Sequence, residues 1–148
     1  FAELVFAGSG EPTLRLDDLL HVARSVHTQF DGVPMRLNTN GLGSLANPGR
    51  AIVPDLCRAG ITSVTVGLNT ADPVQYDEIM QLAATKYPPL AGHQAALDFV
   101  TAALSEGLGA EVTAVQRPGV DVQAVERLAK EIGAGFRART WHAEQSKA

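Results

Sequence analysis

Leu4-Val5-Phe6-Ala7-Gly8-Ser9-Gly10-Glu11-Pro12-Thr13-Leu14-Arg15 is the stretch on which the fold turns. Leu4 to Ala7 is a short apolar run, as in a strand covered on both faces. Gly8 and Gly10 let the chain turn sharply and open bare backbone to a ligand. Pro12 fixes the exit, and a helical pattern begins at Leu16. Glu11 therefore stands at the carboxyl end of a parallel-type strand, where α/β sheets and barrels put ligands. The plainer reading is a strand-to-helix turn with a solvated Glu, because a lone Gly-x-Gly is common.

Downstream, the same alternation repeats. Leu16, Leu19, Leu20, Ala23, Val26 and Phe30 recur at helical spacing, with Asp17 and Asp18 in the first turn. Val33 to Leu37 reads as a strand running into the polar loop Asn38-Thr39-Asn40-Gly41-Leu42-Gly43. Pro54 suits the first turn of a short helix that Gly60 closes. Ile61 to Leu68 is a strand ending at Asn69, and Asp72-Pro73 starts a helix that runs to the break at Tyr87-Pro88-Pro89. A helix from Ala96 to Leu104, closed by Gly107, precedes the strand Ala110 to Val115. Asp121 caps a helix with Val125, Leu128, Ala129 and Ile132 on one face, ended by Gly133. Phe136 to Trp141 is the last strand, and a polar tail follows over 142–148. The pattern is α/β, with parallel strands and helices in strict alternation over 1–141. Polar and glycine-rich residues gather after the strands, as at the active face of a (β/α) barrel.

Composition sets bounds. The chain has 148 residues, 45% hydrophobic and 19% charged, enough for one domain with a sizeable core. A net charge of -4 argues against a broad nucleic-acid surface. No apolar run is long enough to span a membrane, which leaves cytoplasm or an organelle matrix as expected compartments without choosing between them. The single cysteine excludes an internal disulfide and any multi-cysteine metal site made by this chain alone. Cys57, beside Leu56 in a short helix, reads as a buried structural thiol. His21, His27, His93 and His142 share no metal-ligand spacing and read as surface or packing residues.

The strand ends together offer Gly8, Gly10 and Glu11, then Asn38 and Asn40, then Asn69, then Gln116 and Arg117, and last Arg137, Arg139 and Trp141. That set suits a ligand with an amine, hydroxyls and a carboxylate. Three rival sites fail: a dinucleotide fingerprint needs a third glycine where Thr13 stands, no Gly-Lys-Ser/Thr loop occurs, and Ser9 leads to Pro12 and not to the helix start of a nucleophile elbow.

Gly8-Ser9-Gly10-Glu11-Pro12-Thr13-Leu14-Arg15, Leu37-Asn38-Thr39-Asn40-Gly41-Leu42-Gly43, Gly67-Leu68-Asn69, Arg117-Pro118-Gly119-Val120-Asp121 and Phe136-Arg137-Ala138-Arg139 occur in that order. In order and spacing this resembles radical S-adenosylmethionine (SAM) proteins, most closely the TatD-associated subgroup, from Leu4 to Arg139. The resemblance implies a partial (β/α)6 TIM-like barrel binding SAM and a [4Fe–4S] cluster. It assigns Gly10 and Glu11 to the methionyl amine, with Gly8 beside them among the cofactor-binding residues, Asn38 and Asn40 to the polar end of the next strand, and Asn69 to the ribose. Arg137 and Arg139 fall near substrate or the SAM carboxylate.

Two departures accompany it. Gly67 stands where many relatives have Ser. The family's Cys-x-x-x-Cys-x-x-Cys loop is absent, so the sequence matches strands two to six with the first β/α unit missing. The chain is thus expected to be the SAM-binding portion of a radical SAM core, unable to hold the cluster or catalyse by itself. The enzyme reading requires the cysteine segment upstream. The alternative is a degenerate, non-catalytic structural subunit of a larger assembly, and a weaker third is a phosphate- or sugar-binding barrel fragment. In either of the first two, Leu4–Ala7 is an unprotected strand edge. Its expected partner is the missing N-terminal segment, a second copy or another subunit.

Overall fold

Five parallel strands in the order in which the chain makes them, β1-β2-β3-β4-β5, form one sheet in a computed structural model that describes residues 3–142. They are β1 (Leu4–Phe6), β2 (Met35–Thr39), β3 (Ser63–Gly67), β4 (Gly109–Val115) and β5 (Gly135–Arg139). Between them run α1 (Leu16–Gln29), α2 (Gly43–Ala46), α3 (Ile52–Arg58), α4 (Pro73–Ile79), α5 (Ala91–Ser105) and α6 (Val122–Ile132). Crossovers between parallel strands are right-handed almost without exception. When the strand order never reverses, that rule puts every crossover helix on one side. The result is a singly wound partial barrel, not a doubly wound sheet with a switch point.

Side-chain alternation agrees. Met35 and Leu37 of β2, Val64 and Val66 of β3, and Val112 and Ala114 of β4 are buried under the helices. Leu16, Leu19, Leu20 and Ala23 of α1, Ala96, Val100 and Ala103 of α5, and Val125 and Ala129 of α6 cover them. Burying each larger aliphatic side chain contributes about 1.5–3 kcal/mol. The intervening positions face the concave side. They are Val5, Arg36, Asn38, Ser63, Thr65, Glu111, Thr113, Arg137 and Arg139, and the register aligns Asn38 with Thr65 and Thr113 with Arg137.

The local signals explain the elements. Asp72 caps α4 by accepting from the Val74 amide at 2.9 Å, with Pro73 as the first helical residue. Asp121 caps α6 through Ala124 at 3.0 Å, and Gly133 ends it at φ 86°.

Several boundaries differ from expectation. β1 is open, not covered on both faces: Val5 is 42% exposed because its face of the sheet carries no helix layer. β2 begins at Met35, because the Val33 amide closes a turn onto the Phe30 carbonyl and Pro34 has no amide to donate. The helix from Asp72 stops at Ile79, well before the prolines. Gln81 adopts a left-handed φ of 55° there, and a 3-10 turn, Leu82–Ala84, follows. β5 ends at Arg139, short of Trp141. The short α2 has no counterpart in the sequence reading. Cys57 is half-buried against the core, less enclosed than expected. Beyond His142, the expected polar tail lies outside the described residues.

Candidate functional site

Glu11 ends the loop after β1 and caps the 3-10 turn Pro12–Arg15. Its Oε2 accepts from the Thr13 amide at 3.0 Å, the Thr13 hydroxyl at 2.5 Å and the Thr39 hydroxyl at 2.7 Å. Its Oε1 accepts from the Asn40 amide at 2.7 Å. Thr39 stands in line with Met35 and Leu37, which face the helices. The carboxylate therefore clips the end of β1 to the end of β2 on the helix side. Oε1 keeps one lone pair for a ligand donor.

The next loop is built around that clip. Thr39 Oγ1 also accepts from the Gly41 amide at 3.1 Å, and Asn40 Oδ1 accepts from Leu42 N at 2.9 Å. Gly41 has φ +80°, and a Cβ there would meet the Ala96 Cα and Val66 Cγ1 at 3.0 Å, so only glycine fits. Tyr76, fully buried, donates its hydroxyl to the Asn40 carbonyl at 3.4 Å and meets the His93 ring edge-on at 5.6 Å. His93 itself is held through Nε2 to the Thr70 carbonyl at 3.0 Å, a packing role. Burial, then the nearby carboxylates of Asp77 and Glu11, push the Tyr76 phenol well above its ordinary pKa. It stays neutral at any physiological pH.

The strand ends do not converge on one cavity. Gly8 and Gly10 line a groove of about 880 Å³ along the β1 edge, with Phe6, Leu14 and Val22 on its apolar wall. Glu11 borders that groove and also a cleft of about 200 Å³ shared with Asn40, Met80, Thr85 and Tyr87. Asn38, Arg137 and Arg139 meet instead on the concave floor, around a pocket of about 330 Å³ completed by Thr39, Thr65, Gly67 and Thr113. Asn69 turns out of β3 at φ 69°, its amide donating to the Thr113 carbonyl at 3.1 Å, and lies beside Met80.

On the floor, Arg36 pairs with Glu3 at 3.1 Å and Arg137 with Glu111 at 3.2 Å. Asn38 Oδ1 and Arg36 Nε are buried with no partner among the described residues. Left without water or another partner, such an orphan costs about 1–3 kcal/mol. Thr13, Thr39, Tyr76, Thr65, Thr113 and Glu111 were not singled out by the sequence reading. A polar residue at every second position of Arg36–Asn38, Ser63–Thr65, Glu111–Thr113 and Arg137–Arg139 is the signal that would have found the floor.

A [4Fe–4S] cluster does not fit the described residues. Cys57 sits in α3 with its sulfur 4.0 Å from the Glu106 carbonyl, and no group of three or more His, Cys, Asp or Glu there is placed to hold a metal ion. Nor is any described helix long and apolar enough to cross a membrane.

No family profile matches the chain, and no curated protein does. Among solved structures it is similar to methylornithine synthase (PylB), with a TM-score of 0.57 and 14% identity over 85% of this chain. The match spans 34% of the length of that structure. At this identity the likeness establishes the fold: a partial TIM-like α/β core of parallel strands.

Proposed function

We propose that the chain is the SAM-binding portion of a radical SAM core, close to the TatD-associated subgroup, and that it holds no cluster by itself. The observation that carries this reading is the Glu11 clip. A Gly-x-Gly-Glu turn after one strand is tied through Thr39 and Asn40 to the turn after the next. This occurs in a sheet whose fold matches methylornithine synthase, a radical SAM enzyme.

The residues present fit SAM in part. Gly10 has nothing within 4 Å of where a Cβ would stand, so its backbone is open to a ligand. The spare lone pair on Glu11 Oε1 and the carbonyls of this turn would take the methionyl amine. Asn40 would orient it from the next loop, and Asn69, at the end of β3, would reach the ribose. Asn38 is the least apt of the set, since its side chain faces the floor below. When bound with a cluster, SAM supplies radical chemistry. This chain's own contribution is to hold the methionyl and ribose groups.

The cluster thiolates would come from a segment upstream, whose strand would pair with the open edge of β1 and fill the adjacent groove. The alternative, a non-catalytic structural subunit, draws on the same open edge, with another subunit in that position. Anaerobic reconstitution of the chain with iron and sulfide tests the claim that it cannot act alone. The expected result is no stable cluster absorption and no SAM cleavage. Reductive formation of 5′-deoxyadenosine by this chain alone would overturn it.

A further inference from the structure

The concave floor is a polar face with a charge of its own. Arg36 and Arg137 each have a carboxylate partner, but Arg139 pairs with none among the described residues. Counted over the described residues, the floor therefore carries one more positive than negative charge, in a chain whose net charge is -4. Arg137 and Arg139 lie on the same face two residues apart on β5, roughly 6.6 Å along the strand. Thr113 sits directly opposite Arg137, and Gly67 opposite Thr113. Having no side chain, Gly67 leaves the gap that these residues line: the nearest atoms to a Cβ built there are Asn69 Nδ2 and Thr113 Oγ1, both at 3.9 Å. Thr65 and Thr113, 7% and 3% exposed, line the same pocket from β3 and β4. On the β2 side of the same pocket the buried Asn38 Oδ1 accepts from no donor among the described residues.

We propose that this pocket is a subsite for a small polar acid, a ligand with a carboxylate or phosphate group at one end and a hydrogen-bond donor at the other. Arg139, supported by Arg137, takes the oxyanion through its fork of N–H groups. The threonine hydroxyls donate to the ligand's remaining oxygens, and Asn38 Oδ1 accepts from its hydroxyl or amine. The cavity of about 330 Å³ suits a small metabolite and lies below the strand-end turns assigned to SAM. Identifying this ligand as the substrate rests on the SAM reading above; binding of the acid itself does not.

The test is an amide-shift titration of the full chain at matched ionic strength, with glycolate, inorganic phosphate and the neutral isostere glycolamide as separate probes. Glycolate, phosphate or both should saturably shift the amides of Gly67, Thr113 and Arg139, and glycolamide should not. The tighter of the two anions names the source of the oxyanion. Arg139→Gln should weaken binding at least tenfold. Gly67→Val, which fills the pocket without needing an unusual backbone, should abolish it, with amide dispersion confirming that both variants fold. Equal shifts with glycolamide, an unchanged affinity in Arg139→Gln, or anion shifts confined to other surfaces would overturn the proposal. SAM titrated separately reads on the loop amides of Gly10 and Asn40, so failure of that reading and failure of the floor subsite are distinguishable.

Discussion

Glu11 joins two strands through its side chain, so its replacement should be felt in stability as well as in any ligand binding. Glu11→Gln puts an NH₂ group among donors and removes a charge-assisted acceptor. We expect a loss of about 1–3 kcal/mol in urea unfolding; a change within about 0.5 kcal/mol, the range of neutral surface substitutions, would show that the clip is not structural. Tyr76 gives a pH signature. Its phenol is held above the ordinary value of about 10. Below that pH both folded and unfolded chains keep the proton, and stability does not change on this account. Above it the unfolded chain releases the proton and the folded one does not, so stability falls by up to about 1.4 kcal/mol per pH unit. Tyr76→Phe should remove that slope from alkaline melting curves, and identical slopes in both proteins would contradict it. The sequence singled out Glu11 by its position after a strand. It could not disclose that Thr13 and Thr39 hold the carboxylate, because those contacts depend on which way the loop folds over the strand ends.

At the scale of elements, α5 seats its first turn on α4 and the 3-10 turn after it. A Cβ on Gly92 would meet Leu82 Cδ1 at 2.5 Å and Tyr76 Cε1 at 2.9 Å. Gly92→Ala should therefore cost about 1–3 kcal/mol, as overpacking does, although alanine favours helices. A stabilised variant would mean that the two helices are not in close contact. Caps were the most legible features: Asp72-Pro73 and Asp121 begin their helices where their side chains can accept from the first turn. The end of α4 was not legible, since the left-handed turn that follows it falls at Gln81, with neither a glycine nor a proline to mark it. The bare face of β1 was not legible, because four apolar residues in a row look the same whether one face is bare or both are packed.

For the molecule as a whole, strand order followed from the even alternation of elements, and the right-handed crossover rule then gave the single helix layer. The division of the strand ends among a groove, a cleft and a floor was hidden, because it depends on curvature and on where Gly67 leaves space. The exposed edge has its own expectation. Leu4 donates its amide to the Pro34 carbonyl at 2.9 Å, so by alternation the Val5 amide points away from the sheet. If an outside strand completes the sheet, hydrogen exchange at Val5 should be fast in the isolated monomer and slow once that strand is supplied. Slow exchange in a monomer shown by sedimentation to be concentration-independent would mean that the edge is already satisfied. Titrating SAM into the full chain while following its backbone amides decides whether the strand ends hold a SAM site. Saturable shifts centred on Gly10, Asn40 and Asn69 are the expected result. Absence of saturable shifts there, or shifts confined to other surfaces, would contradict it.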